Sequence, residues 1–214
     1  MIKGSGILKT ETLPVKGFNA VLLTGVGQLV IQQTGTESLT VSAEDNFLPL
    51  ISASVQGTML TIRMQAGTTL QPTQPLQYFL TVKDLNSIGL GGAGGVTITQ
   101  FKTTALAVTL KGVGNITLSG LTLNTFSVAM SGTGNVVVGG QTQSQTVRCS
   151  GVGSYNAANL ASHTATVQLS GVGNATVRVS DSLDVTIAGV GDLTYLGSPT
   201  ITQHITGTGK VQKG

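Results

Sequence analysis

Apolar residues alternate with polar or small ones in short runs, and the runs return about every twenty residues. The register is clearest with the first glycine of each Gly-x-Gly tripeptide as origin. Four positions before it stand Val21, Ile88, Val108, Val128, Val147, Val167 and Val185, and Gln203 breaks the row in the final repeat. Two before it stand Leu23, Leu90, Leu110, Met130, Cys149, Leu169, Ile187 and Ile205. Four after it come Leu29, Val96, Ile116, Val136, Tyr155, Ala175, Leu193 and Val211; six after it come Ile31, Ile98, Leu118, Val138, Ala157, Val177 and Tyr195. A period of two means strands with one buried face. Each repeat is predicted to hold one strand before the Gly-x-Gly and one after it.

The tripeptides begin at Gly92, Gly112, Gly132, Gly151, Gly171, Gly189 and Gly207, in steps of 20, 20, 19, 20, 18 and 18 residues. Gly25-Val26-Gly27 and Gly4-Ser5-Gly6 read as two further copies upstream. A unit this short cannot bury its apolar face alone; stacked on its neighbours, it can. The pattern predicts an all-β chain, a single-stranded parallel β-helix of about 18–20 residues per coil. Its inward side chains form ladders, and glycine makes the bend. Asn115, Asn135, Ser154, Asn174 and Asp192 follow at position +3 and suit a turn. Leu106, Phe126, Ala165, Leu183 and Ile201, six before the glycine, extend the inward row; Gln145 interrupts it. No window carries the i, i+3, i+4, i+7 pattern of an amphipathic helix.

Residues 1–85 are organised differently. They hold most of the acids, half of the aromatics and a polar loop with prolines at 68–75. This region is predicted to start and cap the solenoid, and residues 86–214 to form its regular coils. An open end would leave apolar side chains and strand edges unpaired.

Composition narrows the chemistry. Charged residues are 9% of the chain and the net charge is +3. The eleven Lys and Arg are scattered, so the basic patch needed for nucleic acid is missing. There is no run of eighteen apolar residues and hence no predicted membrane-spanning helix. The single cysteine, Cys149, occupies an inward position and reads as a small buried hydrophobe. His163 and His204 read as exposed surface residues without metal-ligand spacing. The acids of the repeats are Asp181, Asp184 and Asp192. Asp181 and Asp184 could share a surface, with Ala161 and Thr164 their expected neighbours one coil earlier, but corner-forming is the simpler reading. A calcium-binding repeat would need an Asp in every turn. A dinucleotide site would need a helix after Gly-x-Gly, where a strand follows here. No catalytic, cofactor-binding or metal-binding residue is assigned.

The chain resembles the head GIN domain family, bacterial proteins described as auto-transporter adhesins. The likeness rests on Gly4-Ser5-Gly6 with Thr10-Glu11-Thr12-Leu13-Pro14-Val15, on Gly17-Phe18-Asn19-Ala20, and on Asn46-Phe47-Leu48-Pro49-Leu50-Ile51. It closes with corners such as Ser131-Gly132-Thr133-Gly134-Asn135 and Ser170-Gly171-Val172-Gly173-Asn174. The resemblance implies a right-handed β-helix and an exported protein, periplasmic or at the cell surface. It brings no catalytic residues. Met1-Ile2-Lys3-Gly4 does not begin a signal peptide, so we read the chain as a mature segment.

The expected function is non-catalytic: an adhesin-like module binding glycan or a surface protein, with a homo-oligomer as a further possibility. A carbohydrate-active enzyme, or a module that self-assembles end to end, are the alternatives.

Overall fold

In a computed structural model describing residues 1–214, the chain is a stack of parallel strands around one apolar core. In the earlier coils the chain forms two strands, and in the later ones these merge into a single strand from one Gly-x-Gly corner to the next: Thr133–Cys149, Tyr155–Leu169 and Ala175–Ile187. In an earlier coil, Ala105–Leu110 precedes its Gly-x-Gly corner and Val113–Thr122 follows it. The first lies parallel between Ser87–Leu90 and Thr125–Met130, and the second between Ala93–Lys102 and the strand starting at Thr133. Equivalent residues therefore face each other: Val108 pairs with Val128, Val128 with Val147, Val147 with Val167 and Val167 with Val185. All five valines are buried, as are Leu110, Met130, Leu169 and Ile187 beside them. Cys149 is only half-buried, with its Sγ 3.6 Å from Met130 Sδ. Burial pushes its thiol up to about 11, so it stays protonated at neutral pH, packed against Met130.

The glycine corner is the tightest point of the stack. The middle residues Val26, Ala93, Val113, Thr133, Val152, Val172, Val190 and Thr208 form one column. At each level the chain hydrogen-bonds up and down: Val152 N–H donates to Gly132 O at 3.0 Å, and Gly134 N–H to Val152 O at 2.9 Å. This draws the coils so close that a Cβ on Gly132 would strike the backbone of Lys111 and Gly112. The second glycine of the corner is constrained twice over. Gly134 has φ +143° and lies against the carbonyl of Gly114. Only glycine suits both conditions.

Gly4-Ser5-Gly6 does not belong to this column, contrary to its reading as a repeat. It packs at the cap against Glu44, which is buried although charged. Glu44 accepts hydrogen bonds from Gly6 N–H at 2.7 Å, Thr73 N–H at 3.0 Å and the Thr73 hydroxyl at 2.5 Å. Nearby, Ile2–Lys3 pairs with Leu70–Gln71, which adds a short strand to the segment expected to be only a loop.

Coil order in space departs from order along the chain. Ala20–Leu23 and Val26–Gln33 make the first coil. The later strands Met59–Met64 and Gln77–Val82 lie beneath it, and Ser87–Leu90 and Ala93–Lys102 above it. Antiparallel strands flank the lower coil: Ile51–Gln56 on Met59–Met64, and Ser38–Glu44 on Gln77–Val82, with Leu8–Leu13 on Ser38–Glu44. Buried Phe47 and Ile51 bracket a short 3₁₀ turn at Leu48–Leu50 on this end. At the other end the final strands Thr200–Ile205 and Val211–Lys213 each pair on one side only. There Gln203 and Lys213 occupy positions that hold apolar residues in the coils below, and both are exposed. Polar residues on the last repeat are how a solenoid end stays solvated.

Two outcomes test this account. Gly132→Ala should destabilise the fold by about 1–3 kcal/mol, whereas Thr133→Val beside it should change stability by under about 0.5 kcal/mol; urea unfolding measures both. For Glu44, desolvation raises the carboxyl pKa, but the bonds from Thr73 and Gly6 outweigh it and hold it below the ordinary 4.5. A carboxylate with a depressed folded-state pKa stabilises the fold above its unfolded value, and that stability is lost as pH falls through the folded value. Wild type should therefore lose stability steeply below pH 4.5. Glu44→Gln should be less stable at neutral pH and show a shallower acid limb; parallel acid limbs would contradict the role given to Glu44.

Candidate functional site

The two bends of a coil obey different rules. From position −6 to position +6 every regular coil has the same length. The interval from +6 to the next −6 is 8, 8, 7, 8, 6 and 6 residues in successive coils. All the variation in repeat length thus falls at this second corner. Every break in the parallel register falls there too, between Leu118 and Leu121, Val137 and Gly139, Ala157 and Ala161, and Ser162 and Thr164. Irregular, length-variable segments on a rigid frame are where binding residues concentrate.

A groove of about 1040 Å³ runs along this edge. Its wall is built from one corner per coil: 102–104, 122–124, 141–143, 161–163, 178–180 and 197–198. At its N-terminal end Gln33 fixes the first corner. Its amide donates to Lys83 O and Lys102 O, both at 3.0 Å, and accepts from Lys102 N–H at 2.9 Å. The groove is polar, and Leu123 and Val179 in its lining are buried.

Beneath it lies a buried polar chain that accounts for Gln145, the interruption in the inward row. Tyr155 O–H donates to Gln145 Oε1 at 3.0 Å. Gln145 Nε2 donates to Ser162 Oγ at 2.7 Å, and Ser162 Oγ to Arg178 O at 2.8 Å. A row of apolar residues admits Gln145 because its amide is paired at both ends. Desolvation is the main cause that raises the Tyr155 phenol, so it stays neutral. Thr142 is pinned likewise, its hydroxyl lying 3.0 Å from both Asn124 O and Ser144 O.

The ionisable residues weighed in the sequence separate here. His163 and Asp181 come together, with His163 Nδ1 3.3 Å from Asp181 Oδ2. Ser180 Oγ donates to Asp181 Oδ1 at 2.5 Å and lies 3.4 Å from the same Nδ1. A serine, a histidine and an aspartate thus meet, but not as a nucleophilic triad. That needs Ser and Asp on opposite ring nitrogens, and here both crowd Nδ1. The Ser180 hydroxyl, and then His163, lower the Asp181 pKa against some desolvation, so Asp181 stays ionised and is a poor proton donor. Asp184 is not its partner. The coil is 18 residues long at this point, so Asp184 stands between Thr166 and Thr202 and not beside Thr164. Asp192 sits at the glycine corner, where its carboxylate accepts from Lys210 N–H at 3.0 Å. His204 is exposed on the last coil, beside Thr186. No three His, Cys, Asp or Glu side chains converge in metal-binding geometry, and no helix is long and apolar enough to cross a membrane.

Residues 17–199 match the family described as "putative auto-transporter adhesin, head GIN domain". The chain belongs to that family. The crystal structure of a putative adhesin from Bacteroides fragilis is similar at 30% identity over the whole of both chains, with a TM-score of 0.96. Two structures from Parabacteroides distasonis share the fold. One, titled a putative lipid binding protein, is 19% identical with a TM-score of 0.77; the other, a putative adhesin, is 21% identical with 0.73. Each spans 100% of this chain and 99% of its own. Among curated proteins, none is similar to this head GIN domain chain.

The buried polar chain gives a test. Tyr155→Phe should cost about 1–3 kcal/mol, because it strands the Gln145 carbonyl in the core. The double variant Gln145→Leu/Tyr155→Phe should recover part of that loss in urea unfolding, since both polar ends then leave together.

Proposed function

We propose that this head GIN domain protein is an exported or surface-displayed, non-catalytic binding module that engages glycan or protein through the groove along its second corner. One observation carries the reading: repeat length, register breaks and a continuous polar groove all coincide on one edge of an otherwise uniform stack. The fold holds the glycine corner constant and lets the groove corner vary, as a scaffold does with its recognition loops. The family's description as an adhesin and the match to the Bacteroides fragilis structure support the class.

A hydrolase or lyase reading asks for a general acid and a base around the groove. Asp84 is the one acid in its lining, its carboxylate accepting from Leu85 N–H at 2.8 Å, and Asp181 on the rim is bonded to Ser180 and His163. A lipid site would need an apolar cavity, whereas this groove is lined mainly by Thr, Ser, Asn and Gln, with Leu123 and Val179 buried. End-to-end self-assembly finds no matching surfaces: antiparallel strands cover one end, and Gln203 and Lys213 face out of the other.

The test is retention on immobilised glycans and surface proteins. Wild type should bind at least one of them. Asn124→Ala/Gln143→Ala, which alters the groove alone, should weaken that binding by about 1–3 kcal/mol for two lost hydrogen bonds. Thr117→Ala, on the outer face of a strand, should leave it unchanged. Equal retention of groove variant and wild type would exclude the groove as the binding site.

A further inference from the structure

The groove carries a periodic feature that narrows its ligand, on the premise that the groove is the binding site. Eight positions before the glycine, each coil places one polar side chain at the second corner: Thr104, Asn124, Gln143, His163 and Asp181 in successive layers. All five are exposed. The next residues of the last three layers pair coil to coil, Ser144 with Thr164 and Thr164 with Ser182, which sets the column in register along the stack. The spacing of its members is therefore that of the strands, about 4.8 Å.

This column differs from the polar column at the glycine corner. There Asn115 Oδ1 accepts from Asn135 N–H, and Asn135 Oδ1 from Ser154 N–H, both at 3.1 Å. Those amides serve the fold. At the second corner the side chains of Thr104, Asn124 and Gln143 stand free in the groove, each able to donate and accept.

Charge in the groove is balanced. Lys102 and Arg178 are offset by Asp84 and by Asp181 on its rim. Arg178 also donates Nε–H to Ala158 O at 2.7 Å, and Asp181 is bonded to Ser180 and His163. With no net positive charge in the groove and on its rim, an anionic ligand gains little to offset its desolvation. A peptide would find no pocket for an apolar anchor, because Leu123 and Val179 are already buried.

We propose that the ligand is an uncharged, linear oligosaccharide lying along the solenoid axis, with about one sugar unit opposite each coil. The six corners span roughly 24 Å at the strand spacing, so the column addresses a chain of five or six units. Its free hydroxyl and amide groups match the paired donor and acceptor character of sugar hydroxyls, repeated at a fixed rise.

The full chain can be titrated calorimetrically with neutral linear oligosaccharides of one to eight units, prepared from cellulose, mannan, xylan and starch. Oligogalacturonates of the same lengths form the charged arm. At least one neutral series should bind with affinity that grows about two- to tenfold per added unit, the worth of one hydrogen bond, and levels off at five or six units. Salt should leave that affinity unchanged. Asn124→Ala should lower affinity for the hexamer about two- to tenfold and affinity for the monomer not at all. The same two- to tenfold loss in Gln143→Ala, with unchanged circular dichroism, guards against a folding artefact in either variant.

Length-independent affinity, tighter binding of the oligogalacturonates, or no binding of any neutral series would overturn the proposal. In those cases binding of another glycan or a protein that is lost in Asn124→Ala/Gln143→Ala would still locate recognition at the groove. Binding that survives in the double variant would remove the groove as well.

Discussion

Everything in this fold follows from how closely two coils approach at the Gly-x-Gly corner. There the backbone of one layer rests on the carbonyl groups of the layer below, with no side chain between them. That contact sets the rise of the stack and lets each strand meet its equivalent in register. It also turns a short apolar alternation into continuous ladders. The hydrophobic effect supplies the bulk of the stabilisation, but the ladders form only because the corner holds the layers at strand spacing. A side chain at one corner would act on both strands of its coil.

The architecture was legible because it is written eight times over. The rows at −6, −4, −2, +4 and +6 named the inward side chains, and apart from half-buried Cys149 and Tyr195 and the last coil they are buried as read. What escaped the sequence was pairing at a distance. Gln145 interrupts the apolar row, and its partners Tyr155 and Ser162 lie ten and seventeen residues on, beyond the reach of a repeat pattern. Gly4-Ser5-Gly6 satisfied the motif but not the register, because a tripeptide cannot announce which strands it joins. Asp184 was matched to the wrong neighbour because the coil shortens by two residues at that point. The groove was present in the sequence only as small deviations in the repeat interval, which look like noise until the structure shows that they share one edge.

The molecule therefore divides its two corners by role. One is glycine, uniform and shut by backbone contact. The other changes length, breaks the ladder and displays hydroxyls and amides to solvent. The same residue type serves both: asparagine is consumed by the fold at Asn135 and left free at Asn124. The groove corner can then change coil by coil without disturbing the register that the glycines maintain, because a change at one bend leaves the constant segment from −6 to +6 intact.

The placing of residues 20–33 between residues 59–82 and 87–102 bears on how the chain reaches this state. The first coil to be synthesised cannot be finished by its immediate successors in the chain. It waits for the Met59–Met64 and Gln77–Val82 strands to return beneath it, across a loop whose closure is costly in entropy. After that event, each new coil meets a completed edge and adds by local contacts alone, which are fast. Folding is then slow at the start and processive afterwards, like a zip whose slider must first be seated. Growth then runs from the N-terminal end as the chain emerges.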